Sequence, residues 1–117
     1  MTKIKTAALT GPALDGAVAK CWYGDDYDLS IPLFDDGLIF APSTNWAHGG
    51  PIIERERMTV EFLRWDNVDG ALPVWLATRV ERHSVCEAEG FSPLIAAMRC
   101  FVASRLGDEV DIPEDLA

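Results

Sequence analysis

A chain of 117 residues, 49% of them hydrophobic and four of them tryptophan, has the material for one domain with a real core. Its formal charge of −9 argues against a general DNA or RNA binder, because phosphate binding needs a basic surface that releases counterions. The acidic residues fall as DD pairs and single glutamates, not along one stripe, so a solvated surface is a better reading than a DNA mimic.

In chain order, residues 10–23 read as a helix. Thr10 can cap it, and Pro12 sits in the first turn, where its missing N–H costs little. Leu14, Ala17, Val18 and Cys21 form one apolar stripe at helical spacing. Gly24 and a solvated DDYD turn follow. Residues 27–41 have strand character: Leu29, Ile31 and Leu33 alternate, DDG suits a hairpin turn, and Pro32 makes the first arm an edge at best. Residues 22–40 thus read as an insertion.

The segment PSTNWAHGGPII, residues 42–53, begins like a helix capped by Ser43 or Thr44. It then runs through Gly49, Gly50 and Pro51, which a helix built for stability alone would avoid. Residues 58–66 alternate Met58, Val60 and Phe62 against Thr59 and Glu61, a half-buried strand. After a turn at NVDGALP, residues 73–81 form a second strand and 83–88 a short third one, broken at Gly90. Residues 92–106 are the clearest helix, with Ser92 as cap, Pro93 at the first helical position and Gly107 as stop. Leu94, Ile95, Ala97, Met98, Phe101 and Val102 cover more than one face, so this helix must be largely buried. Residues 108–117 read as a loosely attached acidic tail. The order predicts an α+β fold over residues 1–117: a small antiparallel sheet packed against two or three helices, with the helices on one face.

Three cysteines without CxxC spacing, Cys21, Cys86 and Cys100, suit a reducing cytoplasm, and Cys21 and Cys100 lie in apolar helical patterns as inert thiols. No apolar run approaches the roughly 20 residues that span a membrane, and residues 1–20 lack the apolar core of a signal sequence.

The stretches LTGPALDGAVAK, FAPSTNWAHGGPIIERE and SPLIAAMRCFVASRLGDEVDIPEDL resemble the phage NinX family, small lambdoid-phage proteins of unknown function, and occur in that family's order. A weaker similarity is to the small phage α-β-α sandwich domain. The resemblance implies a phage or prophage origin and the host cytoplasm. It transfers no catalytic residues.

The residues themselves suggest binding more than catalysis. Ser43, Thr44 and Asn45 at a helix start can offer hydroxyl, amide and backbone N–H groups to an anion. Gly49 and Gly50 could let a ligand approach the main chain, Trp46 could stack on a ring or anchor the helix from behind, and anchoring is favoured because tryptophan is usually mostly buried. Packing explains the same glycines, except that alanine would be better by about 1 kcal/mol per position. Seven of the ten basic residues are arginine, and most should pair with surface glutamates. Arg99, in the middle of an apolar helix, must snorkel, pair or face a pocket, and is the first choice for a charge-assisted contact, with Arg55 second. His48 and His83 lack partners at a recognisable catalytic or metal spacing; His48 is read as a hydrogen-bond donor to a ligand.

Three functions follow. The first is a phage protein that binds, without turning over, a phosphate-bearing, nucleotide-like molecule, sequestering a nucleotide-derived host immune signal. The second is a modulator that binds a host or phage enzyme through its acidic surface. The third, a hydrolase, is least supported because an acid–base pair is missing. No cofactor, metal, nucleic acid or membrane is expected. A homo-oligomer is expected, with residues 22–40 near the interface, because exposed aromatic patches mark association sites.

Overall fold

In the computed structural model, residues 2–24, 34–35, 38–66, 71–114 and 116 are described. Among the described residues the fold is α+β, with three helices and three antiparallel sheets. The elements in order are β1 (Thr2–Lys5), a 3-10 turn (Thr6–Ala8), α1 (Gly11–Tyr23), β2 (Phe34–Asp35), β3 (Leu38–Ile39), α2 (Trp46–Glu56), β4 (Thr59–Asp66), β5 (Leu72–Glu81), β6 (Ser84–Gly90), α3 (Pro93–Leu106) and β7 (Glu109–Ile112).

α3 is the centre of the molecule, and its sequence explains why. Leu94, Ala96, Ala97, Met98, Cys100, Phe101 and Val102 are all buried, because the helix is covered by β4–β5–β6 on one side and by α1 on another. Ser92 Oγ accepts from Ile95 N–H at 3.1 Å, Pro93 opens the helix, and Gly107, at φ 86°, ends it in a conformation that L side chains rarely adopt. Phe101 is fully enclosed, with Trp22 of α1 edge-on to its ring. The stripe read on α1 holds for Leu14, Ala17 and Val18, which are buried; Cys21 is half-buried. Thr10 does take the N-cap position of α1, but its side chain makes no capping hydrogen bond.

The three-stranded sheet has the order β4-β5-β6. Cys86 Sγ contacts Cys100 O, and a Cβ on Gly90 would meet Ala96 N at 2.6 Å, so Cys86, Ala88 and Gly90 face α3. Their partners Arg79, Ala77 and Trp75 share that face, as do Val60 and Phe62 beyond them. The opposite face carries the exposed Val80–Val85 pair. A bulge lies between Phe62 and Arg64, and Leu63 is the extra residue.

Three sequence expectations need correction here. Phe62 is 44% exposed, because it sits on the β4 edge and α3 packs mainly on β6 and β5. The acidic tail is not loose: Glu109–Ile112 pairs antiparallel with Thr2–Lys5, a strand missing from the sequence reading, and Val110 and Ile112 enter the core. α1 packs on α3 and β7 rather than on the three-stranded sheet. Where the sequence predicts a hairpin around DDG, β2 pairs antiparallel with β3, Phe34 opposite Ile39 and Asp35 opposite Leu38, whereas residues 36–37 and the proposed arm Leu29–Ile31–Leu33 lie outside the described residues.

Candidate functional site

The start of α2 is built by local hydrogen bonding. Ala41 O accepts from both Thr44 N–H and Asn45 N–H, closing a turn. Asn45, not Ser43 or Thr44, is the cap: its Oδ1 accepts from Ala47 N–H at 2.9 Å. The reason lies in the tertiary structure. Ser43 N–H donates to Asp15 Oδ1 on α1 at 2.8 Å, which pins Ser43 ahead of the helix. Burial pushes the Asp15 carboxyl above its ordinary range, while contacts with Ser43 oppose that shift. The Ser43 hydroxyl stands close enough to this carboxyl to favour its charged form, yet makes no hydrogen bond of proper geometry among the described residues.

His48 is buried and turned inward. Its Nδ1 accepts from Ala41 N–H at 3.0 Å and its ring stacks on Phe40, so it braces the turn. Gly49 is also inward-facing. A Cβ there would lie 2.5 Å from Pro42 O and 2.6 Å from Leu94 Cδ2, so this glycine lets α2 approach the Pro42 turn and α3. Alanine would fit only if the Pro42 turn shifted, contrary to the sequence argument. Gly50 is half-exposed with no such neighbour. It precedes Pro51, whose ring disfavours the helical conformation in any preceding residue that carries a Cβ.

Trp46 corrects the expectation of an anchor: it is 57% exposed. It borders a 340 Å³ pocket lined by Ser43, Thr44 and Trp46 at the start of α2 and by Ser92, Pro93, Leu94 and Ile95 at the start of α3. Two helix N-termini, each with a side-chain cap, therefore open on one concavity. A helix start carries partial positive charge, which favours an anion beside it.

The two arginines chosen from sequence are elsewhere. Arg55 stacks over the Trp22 ring, 3.6 Å from its centroid, and pairs with Glu56. Arg99 donates through Nε to Leu9 O at 2.9 Å and through a terminal nitrogen to Glu89 O at 2.8 Å. It is the pairing alternative that is realised, and the partners are main-chain carbonyls of the 3-10 connection and β6. Burial lowers its pKa. Arg99 lines two adjoining cavities of 590 and 390 Å³ that also share Ala7, Glu87 and Ala88, and neither includes residues 43–51. Of the nine residues proposed from sequence, the structure thus brings Ser43, Thr44 and Trp46 to one pocket, with Asn45 capping beside it. His48, Gly49, Gly50, Arg55 and Arg99 are not among its lining residues.

The sequence reading missed the contribution of Ser92–Ile95, although the Ser92 cap was a legible sign of a second exposed helix start. It also missed Glu56, whose side chain is 6% exposed and takes hydrogen bonds from Arg55, Arg79 and Arg105. Burial alone would raise this carboxyl, but the hydrogen bond and charge of Arg105, helped by Arg55 and Arg79, hold it below its ordinary value. The expectation that arginines pair with glutamates is met here, and again at Arg64–Glu89 and Arg79–Glu81. Among the described residues there is no cluster of three or more His, Cys, Asp or Glu side chains that could hold a metal ion.

The sequence profile of the family described as Bacteriophage P22, NinX matches residues 5–105, most of the chain. The chain belongs to the NinX family. The NinX match takes in α1, α2, the three-stranded sheet and nearly all of α3, and therefore both helix starts that form the pocket. No curated protein matches this NinX chain. No helix among its described residues is long and apolar enough to cross a membrane.

Proposed function

We propose that this NinX protein binds, without turning it over, a small phosphate-bearing molecule with a flat ring, in the pocket between the starts of α2 and α3. The observation that carries the reading is the convergence of two capped helix N-termini on one 340 Å³ pocket with a half-exposed indole on its rim. The helix starts supply partial positive charge to a phosphate. Trp46 supplies a stacking face for a base, and the buried Ser43 hydroxyl can rotate toward the ligand. A nucleotide-derived molecule has both halves of this chemistry. In the cytoplasm of a host cell, a phage protein of this kind would act as a sink for a nucleotide-derived immune signal.

The test is titration of the purified protein with a panel of linear and cyclic nucleotides and the matching nucleosides, read by tryptophan fluorescence and calorimetry. A phosphate-bearing member should bind, its nucleoside should not, and the ligand should be recovered intact. Trp46→Ala should melt at the temperature of the parent and weaken binding by about 10- to 100-fold, the usual worth of one base–aromatic stack. A folded Trp46→Ala protein that binds the same nucleotide with unchanged affinity would place the site elsewhere. Turnover of the ligand would replace the sink with an enzyme.

A further inference from the structure

The two edges of the three-stranded sheet are treated differently. At the β6 edge, Arg99 occupies the carbonyl of Glu89 and ties it to Leu9, so the 3-10 connection is held over that edge. The β4 edge, TVEFLRWD, has no proline or lysine to discourage pairing. Phe62, Leu63 and Trp65 on it are 44%, 39% and 57% exposed. Its one irregularity is the bulge, and the bulge has a consequence for charge. Glu61 lies opposite Leu76 and Arg64 opposite Val74, two positions apart on β5, so Glu61 and Arg64 share the face turned away from α3. Without the extra residue, a spacing of three would put them on opposite faces.

We propose that this chain pairs with a second copy of itself through β4. The two strands run antiparallel about a two-fold axis between Phe62 and Leu63. In that register Glu61 of each copy faces Arg64 of the other, Val60 faces Trp65, and Thr59 faces Asp66. The same edge meets itself, as a two-fold interface requires, and it is self-complementary in charge as well as apolar. Arg64 is half-exposed and keeps its Glu89 contact through one terminal nitrogen, so the rest of its fork remains for the second copy. Two three-stranded sheets become one of six strands, and the exposed aromatic residues are covered. This places the interface on β4 rather than on residues 22–40.

The experiment is light scattering behind size exclusion at about 10 to 200 µM, on the parent, Glu61→Arg, Arg64→Glu and the double exchange. Circular dichroism melting confirms that each variant is folded, as expected for exposed side chains. The parent should be a dimer. Each single exchange sets like charges opposite each other at two symmetric places and should raise the dimer dissociation constant at least tenfold. The double exchange should restore it to within a few-fold of the parent. A parent that stays monomeric at 200 µM overturns the proposal. So does a dimer indifferent to both single exchanges, which would have its interface elsewhere, and so does failure of the double exchange to restore association, which would refute the register.

Discussion

Replacing Gly49 by alanine is a sharp test of how α2 is seated. The added Cβ would lie 2.5 Å from Pro42 O, at least half an ångström inside the approach that real Cβ atoms show, and 2.6 Å from Leu94 Cδ2. The leucine methyl can turn away, but the Pro42 carbonyl belongs to the turn held by Ala41, Thr44 and Asn45 and must move with it. Overpacking of this kind costs about 1–3 kcal/mol. Helix propensity returns up to about 1 kcal/mol. The net expectation is a loss of roughly 1–2 kcal/mol, a fall in melting temperature of about 4–10 °C for a domain of this size. The control is Gly50→Ala. No atom outside its own chain neighbourhood lies within 4 Å of its Cβ, so propensity and the pre-proline clash oppose each other and the change should stay within about 1 kcal/mol of zero. Thermal denaturation by circular dichroism measures both. If Gly49→Ala is as stable as the parent while Gly50→Ala is the damaging change, the close approach of α2 to Pro42 and Leu94 is wrong.

Phe101→Ala removes a fully buried ring at the centre of α3 and should cost about 3–5 kcal/mol, measured by urea unfolding; a loss under 1 kcal/mol would contradict the packing. Glu56→Gln should destabilise at neutral pH by about 1–3 kcal/mol, because three arginines lose a charged acceptor. Since the carboxyl is held low in the folded state, its contribution is complete above its ordinary range and fades as pH falls through the depressed value. The gap between parent and variant should therefore close on acidification, and a melting series from pH 7 to about pH 3 that keeps it constant would refute the hub. Burial and the neighbouring Cys86 push the Cys100 thiol up to about 12, so in native protein at pH 8 it should label with a thiol reagent only as fast as the protein unfolds. Peptide mass spectrometry of a timed labelling reaction shows whether it does.

Local punctuation made α3 legible: Ser92, Pro93 and Gly107 all act within one turn of the helix they bound. The start of α2 was harder because Ser43, Thr44 and Asn45 are all good caps, and the choice fell to Asp15, far away in sequence, which holds the Ser43 N–H. For the same reason half of the candidate pocket was hidden, since nothing near residues 42–46 announces Ser92–Ile95 as the opposite wall. Arg99 was recognised as anomalous, but main-chain carbonyls of β6 and Leu9 leave no pattern in side-chain spacing. β7 was hidden by charge. Glu109 and Asp111 point outward and dominate the composition, while the Val110–Ile112 alternation that buries the strand is only two residues long.

The pairing of β1 with β7 also sets the order in which this protein can be completed. Thr2 waits for Ile112 and Lys5 for Glu109, so a growing chain carries an unpaired first strand until the last hundred-odd residues have been made. The local hairpins β4–β5 and β5–β6 close small loops and can form early, whereas this closure spans almost the whole chain and is entropically the most demanding. Val110 and Ile112 then act as a latch on a core otherwise assembled from Leu9 to Val102. A product cut short before β7 would keep all three helices but leave that core open along one side, marked for proteases by its own missing strand.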